Sequence, residues 1–231
     1  MPHTVEMPKY VIDRIMAKRG RLNVFDSFDA PKTALVVIDM QKFFVNDVPT
    51  AQSIVPNINR LANVMRERGG LVAWVLMTLA DAPDAPSKWP LYHDYFFTPE
   101  KTRAHKTGLT LGDPGHPLVD ALEPKAQDVT AHKTRFSAFI QGSSDLHQKL
   151  QSRGIENLIV TGTVTNFCCE TSARDAMMLG YRVVMASDGC AARYDEDHLA
   201  GLTSFWQSFG DVRTVDEAIA MLRAPTRIAA E

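Results

Sequence analysis

The stretch V-T-G-T-V-T-N-F-C-C-E-T-S-A-R-D, residues 160–175, decides the fold of this chain. An apolar run at 158–160 stops in Gly and Thr residues, and a helical pattern begins at about Cys168, which predicts a strand that turns into a helix. Open α/β sheets bind their ligands at such junctions. A cysteine in the first helical turn lies near the positive end of the helix dipole, which favours thiolate over thiol. Cys168 is therefore a candidate nucleophile.

Strand and helix patterns alternate on both sides of this stretch. Residues 33–39, T-A-L-V-V-I-D, have the continuous apolar pattern of a strand covered on both faces. The remaining strand patterns lie at 71–77, 128–132, 157–161, 182–187 and 212–214. Helical patterns lie at 54–69, 144–153, 168–179, 196–209 and 216–222. This alternation predicts a doubly wound, three-layer α/β/α fold with a parallel sheet of about six strands.

The chain divides at Pro31 into two parts of unequal length. We expect residues 1–30 to be an N-terminal extension or arm with a short helix ended by Gly20, and residues 31–231 to form a single domain. Residues 78–117 contain six prolines and several aromatic residues. Because so long a loop in a compact domain is usually functional, we predict that this segment is a lid or pocket wall.

The composition excludes several classes of partner. A formal net charge of −2 gives no basic surface for a nucleic acid or an anionic membrane. Residues 1–10 lack the apolar core of a secretion signal, and no stretch has the length of a membrane span. Three cysteines make a poor disulfide framework. We therefore expect a cytoplasmic protein that binds a small molecule.

Three polar residues stand where predicted strands end: Asp39, Lys133 and Cys168. The carboxyl ends of parallel strands lie at one edge of a sheet, so these side chains can converge. A carboxylate, an ammonium and a thiol together can perform hydrolysis, because Asp39 can take the thiol proton and pass it to a leaving amine. Lys133 would hold the carboxylate and favour the thiolate electrostatically.

Each of these residues also has an ordinary structural alternative. An aspartate at a strand end is often a turn former or helix cap. A single lysine is commonly solvated, and a free cysteine is commonly a small buried hydrophobe. Spacing alone leaves these alternatives open.

Helical phase separates the two adjacent cysteines. A stripe of small residues suited to packing on the sheet is formed by Cys169, Ala173, Ala176 and Gly180. Cys169 is therefore predicted to be a core residue, and Cys190 is likewise predicted to be structural. Cys168 is in phase with Ser172 and Asp175 and is predicted to face the cleft at the strand ends.

Four motifs together resemble the isochorismatase-like cysteine hydrolases. They are A-L-V-V-I-D-M-Q at 34–41, K-T-R-F-S-A-F at 133–139, V-T-G-T-V-T-N-F-C-C-E-T-S-A-R-D-A at 160–176 and G-Y-R-V-V-M-A-S-D-G-C-A-A at 180–192. The resemblance implies that Asp39, Lys133 and Cys168 form a catalytic triad. It also implies an oxyanion hole made by the backbone N–H groups of Val164 and Cys168, and a cis peptide bond between Thr163 and Val164.

The sequence departs from this family at two places. Cys169 stands where the family usually has valine. Nicotinamidases of the family bind a metal through an Asp-x-His pair and a further His after the second strand, whereas the candidates here have the wrong spacing: Asp81, Asp84, His93 and His105. We therefore predict no metal and no cofactor.

We predict a cysteine-dependent amidohydrolase that cleaves a C–N bond of a small amide, carbamoyl or ureido compound. The residues expected to contact the substrate are Phe44, Trp89, Arg135, Phe136 and Phe167. True isochorismatases, which cleave a vinyl ether, typically lack the cysteine. A vinyl-ether hydrolase and a catalytically idle, thiol-sensing or binding protein of the same fold remain the alternatives. The resemblance and the N-terminal arm favour a homo-oligomer, a dimer or tetramer.

Overall fold

A parallel sheet forms the centre of the molecule in the computed structural model, which describes residues 3–4, 6–79 and 89–223. In chain order the strands are β1 (Phe28–Asp29), β2 (Thr33–Ile38), β3 (Leu71–Met77), β4 (Val129–Lys133), β5 (Asn157–Thr163), β6 (Arg182–Ala191), β7 (Asp211–Arg213) and β8 (Leu222–Arg223). Over the described residues, six of them pair in the order β4-β3-β2-β5-β6-β7, and β1 pairs separately with β8. The predicted parallel sheet of about six strands is confirmed.

Helices cover both faces of this sheet. They are α1 (Lys9–Arg19), α2 (Lys42–Val45), α3 (Pro49–Ser53), α4 (Val55–Glu67), α5 (Pro99–Gly108), α6 (Leu146–Gln151), α7 (Glu170–Met178), α8 (Asp195–Ser208) and α9 (Val215–Met221). One apolar core joins the sheet to α1, α6, α7 and α8. A second core on the opposite face joins it to α2, α3, α4 and α9. The architecture is the predicted doubly wound α/β/α sandwich.

Strand β2 shows why the sequence forms three layers. Its six residues are all buried. Val36 and Ile38 point into the core with α7 and α8, whereas Leu35 and Val37 point into the core with α4 and α9. Because successive side chains of a strand point to opposite faces, a continuous apolar run needs cover on both sides.

The chain reverses its winding direction between β2 and β5. The strands that follow β2 first add on one side, β3 and then β4, and β5 then pairs on the other side. Ile38 and Gly162 are register partners at the ends of these two strands. Gly162 has φ +114°, and a Cβ there would stand 2.0 Å from the Ile38 carbonyl oxygen, so only glycine fits. This switch point positions the candidate site.

The N-terminal extension packs on its own chain. Helix α1 ends at Gly20, as predicted, and buries Val11 and Ile15 in the core that contains α8. Strand β1 pairs in parallel with β8 near the other end of the described chain. The predicted domain boundary at Pro31 stays a prediction.

The segment predicted as a lid has its own secondary structure. A π-helical turn spans Leu91–Tyr95, and α5 follows it. Residues 80–88 of the segment, with Asp81 and Asp84, lie outside the described residues. Among the helices that the structure describes, none has both the length and the apolarity needed to cross a membrane.

Candidate active site

The ammonium group of Lys133 lies between the other two predicted site residues. Its Nζ is 2.7 Å from Asp39 Oδ2 and 3.3 Å from Cys168 Sγ, and it also donates to the Arg135 carbonyl oxygen at 3.0 Å. Lys133 is 0% exposed, Asp39 1% and Cys168 5%. The prediction placed Lys133 just after its strand, but it is the last residue of β4. The fold thus brings together the carboxylate, ammonium and thiol.

Asp39 has an unusual backbone conformation. Its φ of +50° lies in the left-handed region, which aspartate tolerates better than most residues. Its N–H donates to the Val75 carbonyl at 2.8 Å, and its carbonyl accepts from Thr163 Oγ1 at 2.8 Å. The flanking strands therefore hold both backbone groups, which fixes the side-chain direction towards Lys133.

Cys168 lies in a π-helical turn, Thr165–Cys169, rather than in the first turn of an α-helix. The predicted helix start at Cys168 is therefore wrong, because the turn begins at Thr165 and α7 continues from Glu170. The backbone N–H groups of Phe167 and Cys169 donate to the Val164 carbonyl at 3.0 and 3.2 Å. The peptide bond between Thr163 and Val164 is cis, as the resemblance implies.

Burial determines the protonation of the thiol. It raises the pKa of Cys168 to about 12, with the Lys133 charge acting in the opposite direction and Asp39 raising the pKa further. The expected preference for thiolate is therefore wrong for the resting protein, because desolvation of the charged form outweighs the favourable neighbours. The Cys168 side chain is therefore a neutral thiol in the resting protein.

The other two groups form a buried ion pair. Burial raises the pKa of Asp39 above its ordinary value, against the effect of the Lys133 charge and its hydrogen bond. Burial alone would lower the pKa of Lys133, but the Asp39 charge and the hydrogen bonds and electrostatic interactions with Asp39 and Cys168 raise it overall. Lys133 therefore stays a cation, and Asp39, with its raised pKa, is a better proton acceptor than an exposed aspartate.

Cys169 lies in the core behind the site. It is fully buried with Ala173 and Ala176 in the same apolar core, as predicted. Its thiol lies beside that of Cys190, which is also buried. Gly180 does not continue this stripe, because it is exposed and ends the helix with φ +97°.

A group of aromatic rings extends from Phe167, the residue before Cys168, to Trp89. The Trp89 and Phe136 ring centroids lie 4.7 Å apart, and those of Phe136 and Phe167 lie 5.4 Å apart. The Arg135 guanidinium lies 5.2 Å above the Trp89 ring. Trp89, Arg135, Phe136 and Phe167 are thus contiguous. Phe44 packs against the same apolar cluster as Trp89 and Phe136, and its ring centroid lies 5.2 Å from that of Phe43.

One polar pair at the site was not predicted from the sequence. The Tyr92 hydroxyl is 2.8 Å from His105 Nδ1. Burial raises the pKa of Tyr92, and its electrostatic interactions with Cys168 and Asp39 raise it further, so its hydroxyl stays protonated. Burial lowers the pKa of His105 to about 4, which keeps the imidazole neutral. The helical spacing of Trp89, Tyr92 and Phe96 is the sequence signal that could have placed Tyr92 at the site.

The described residues do not fit the metal site of nicotinamidases. No group of three or more His, Cys, Asp or Glu side chains in the described part of the chain could hold a metal ion. Nδ1 of His105 is engaged by Tyr92, and its ring lies 4.1 Å from the Phe97 ring. The predicted absence of a metal stays a prediction, because Asp81 and Asp84 are outside the described residues.

The fold and the buried Asp–Lys–Cys cluster at its switch point define an isochorismatase-like α/β hydrolase architecture. The model of the isochorismatase domain matches residues 33–217. The chain belongs to the isochorismatase family of hydrolases.

Similar proteins support this assignment. The ureidoacrylate amidohydrolase of Stutzerimonas stutzeri (strain A1501) is 30% identical, with 87% of this chain and 86% of that protein covered. A probable inactive nicotinamidase of Arabidopsis thaliana is 35% identical, with coverage of 74% and 86%. The crystal structure of a cysteine hydrolase from Pseudomonas syringae pv. phaseolicola 1448A superposes with a TM-score of 0.76 at 27% identity, covering 87% of this chain and 96% of that one.

Proposed function

We propose that this protein is a cysteine-dependent amidohydrolase that cleaves a C–N bond of a small amide, carbamoyl or ureido compound. The observation that carries the proposal is the position of Lys133 Nζ, 2.7 Å from Asp39 and 3.3 Å from Cys168. The named activity of the similar ureidoacrylate amidohydrolase is of the same class.

In the first half-reaction, Asp39 takes the thiol proton while Sγ of Cys168 attacks the substrate carbonyl carbon. The Lys133 charge stabilises the developing thiolate, which the high pKa of the resting thiol makes necessary. The backbone N–H groups of Val164 and Cys168 hold the oxyanion of the tetrahedral intermediate. The C–N bond then breaks as Asp39 returns the proton to the departing ammonia or amine, leaving a thioester on Cys168.

In the second half-reaction, Asp39 deprotonates a water molecule that attacks the thioester carbonyl. The C–S bond breaks, the acid product leaves, and the proton returns to the Cys168 sulfur. The same carboxylate thus acts alternately as base and acid, which requires that it stay fixed beside the sulfur. Asp39 meets this requirement through its two backbone hydrogen bonds.

The aromatic residues Trp89, Phe136 and Phe167 form the wall that accepts the rest of the substrate. Arg135 binds a substrate carboxylate, if one is present, from its position above Trp89. Phe44 contributes to the wall from the α5 side. The homo-oligomeric state, a dimer or tetramer, and the cytoplasmic location remain predictions, which gel filtration with light scattering and cell fractionation would check.

The test is ammonia release from a panel of small amides and ureas by wild type and Cys168→Ala. We expect wild type to release ammonia from at least one compound and the variant to lose roughly 10³-fold or more in kcat. Mass spectrometry of quenched wild type should show an acyl adduct on Cys168.

A second candidate function is a catalytically idle, thiol-sensing or binding protein. The similarity to a probable inactive nicotinamidase favours it. The high pKa of the Cys168 thiol fits a catalytically idle or binding protein better than a thiol sensor, because oxidation of cysteine proceeds through the thiolate. If wild type is inert on the whole panel while peroxide alters its binding of a ligand, this second function replaces the first.

A further inference from the structure

Helix α8 packs directly behind the turn that carries the thiol. Thr165, the first residue of that turn, is fully buried, and its Oγ1 is 2.7 Å from Nδ1 of His198, which is also fully buried. One helical turn later, a Cβ on Gly201 would stand 2.9 Å from the Asn166 Cα. The backbone of α8 therefore touches the turn, and the hydrogen bond of His198 fixes their relative position.

The N-terminal extension reaches the same place through His3. The rings of His3 and His198 are stacked, with centroids 4.2 Å apart and planes 12° apart. His3 Nε2 lies 3.0 Å from both N and O of Ala192, and Nδ1 lies 2.5 Å from Asp195 Oδ1. His3 thus bridges the end of β6 and the start of α8, and closes over His198.

We infer that His198 and Thr165 are positioning residues for the nucleophile and that His3 holds them in place from the N-terminal extension. The inference rests on the proposed function, in which the Val164 and Cys168 amides hold the oxyanion. Thr165 directly follows Val164 and lies three residues before Cys168, so the hydrogen bond between its side chain and His198 holds the turn that joins both donors. A displacement of about 1 Å at such a site can lower the rate roughly 100-fold.

The chemistry of His198 suits a permanent support. Burial, and then the neighbouring His3, lower the pKa of His198 to about 3. Its ring therefore stays neutral at physiological pH, and the bond to Thr165 does not switch off as the pH changes around neutrality. A charged imidazole behind the turn would instead add its positive charge to that of Lys133 near the thiol.

Two pairs of variants test the inference in the full-length protein. Thr165→Val removes the hydroxyl and Thr165→Ser keeps it, while His198→Leu removes the ring nitrogen and His198→Asn keeps a polar group near the Nδ1 position. Thr203→Val is a matched control, since Thr203 is buried on α8 with its hydroxyl 3.8 Å from Met7 Sδ and not at the turn. His3→Ala tests the contribution of the N-terminal extension.

The first measurement is amide hydrogen exchange of the peptide that contains the turn, which needs no substrate. We expect Thr165→Val and His198→Leu to speed exchange of the Phe167 and Cys169 amides roughly tenfold, with Thr165→Ser and Thr203→Val at the wild-type rate. His3→Ala should speed the same amides by a smaller factor. Unchanged exchange in Thr165→Val would overturn the inference, and unchanged exchange in His3→Ala would remove His3 from it.

The second measurement is the division of the effect between kcat and KM on any compound that wild type hydrolyses. We expect kcat to fall about tenfold or more in Thr165→Val at nearly constant KM, and to recover in Thr165→Ser. An equal loss in Thr203→Val would show a general packing effect and contradict a positioning role. If no compound is hydrolysed, the proposed function fails, but the exchange experiment still decides whether His198 and Thr165 hold the turn.

Discussion

The hydroxyl of Thr163 donates a hydrogen bond of 2.8 Å to the main-chain carbonyl of Asp39. This bond joins the last residue of β5 to the residue that follows β2, across the switch point of the sheet. It stabilises the left-handed conformation of Asp39, which no regular strand or helix would impose. Both residues lie at the carboxyl edge of the sheet, next to the start of the turn that carries Cys168.

Thr163→Val should therefore release the backbone of Asp39. We expect a loss of about 1 kcal/mol in the free energy of unfolding, because a buried carbonyl loses its donor. We expect kcat to fall roughly tenfold, because Asp39 moves relative to the sulfur. Urea denaturation and steady-state kinetics measure the two effects. Thr163→Ser is the control, and an equal loss in both variants would show that the methyl group, not the hydroxyl, matters.

Removal of the Lys133 charge should destabilise the fold as well as abolish activity. In Lys133→Met, the carboxylate of Asp39 stays buried without its partner, which we expect to cost about 3–5 kcal/mol. The double variant Asp39→Asn/Lys133→Met should recover most of this stability and none of the activity. Denaturant unfolding of both variants is the measurement. A single variant as stable as wild type would mean that Asp39 is neutral in the folded protein.

The acid limb of the activity profile should lie above the ordinary pKa of an aspartate, 3.8, because burial raises the pKa of Asp39. Asp39 must be ionised to accept the thiol proton, so activity is lost as the pH falls through this raised pKa. His105 and His198 have pKa values of about 4 and about 3 and stay neutral near pH 7. Their ionisation therefore does not change the activity near pH 7. The measurement is kcat/KM against pH. An acid limb at or below pH 3.8 would contradict the role of Asp39.

Cys169→Val should retain most of the activity. Cys169 is fully buried, and its thiol lies beside that of Cys190 and makes a weak hydrogen bond of 3.8 Å to the Thr161 carbonyl. Valine has a similar size and suits an apolar core, so we expect kcat within about threefold of wild type. Kinetics and a thermal unfolding curve are both needed. Complete loss of activity in a folded variant would show that Cys169 takes part in the chemistry.

Asp128 should contribute stability that disappears in acid. Burial raises its pKa, but hydrogen bonds from Arg66, from Trp74 and from the Lys125 backbone outweigh this and lower the pKa overall. A lowered folded-state pKa gives stability that is present above the unfolded-state pKa, near 3.9, and lost as the pH falls through the folded-state value.

We therefore expect Asp128→Asn to cost about 2 kcal/mol at pH 7. The cost should shrink below about pH 4, where the unfolded carboxyl becomes protonated. Urea unfolding of wild type and variant at several pH values measures this difference. A difference that is the same at pH 3 and pH 7 would contradict the ion pair.

The sequence predicted the parallel sheet because the periodicity of apolar residues is a local property of the chain. A continuous apolar run such as residues 33–38 requires cover on both faces, whichever helices supply it. The sequence also predicted that Asp39, Lys133 and Cys168 lie close together, since the carboxyl ends of parallel strands share one edge of the sheet. The helical phase of Cys169 also distinguished it from its neighbour.

Other features depend on contacts between distant residues, and no local pattern could show them. The start of the thiol-bearing turn at Thr165 depends on α8, because His198 and Gly201 pack against it. The stacking of His3 on His198 joins residues 195 positions apart. The pairing of Tyr92 with His105 depends on how α5 folds back over the preceding π-helical turn.

The sequence by itself thus determined the layers of this protein, the order of strand and helix, and which three polar groups meet. Only the tertiary structure decided the protonation states of these three groups and the contacts that hold them in place. The helix dipole predicts a thiolate at Cys168, but burial of the side chain raises its pKa to about 12. The physical reason is that desolvation depends on every atom that surrounds a group, whereas periodicity depends only on its neighbours along the chain.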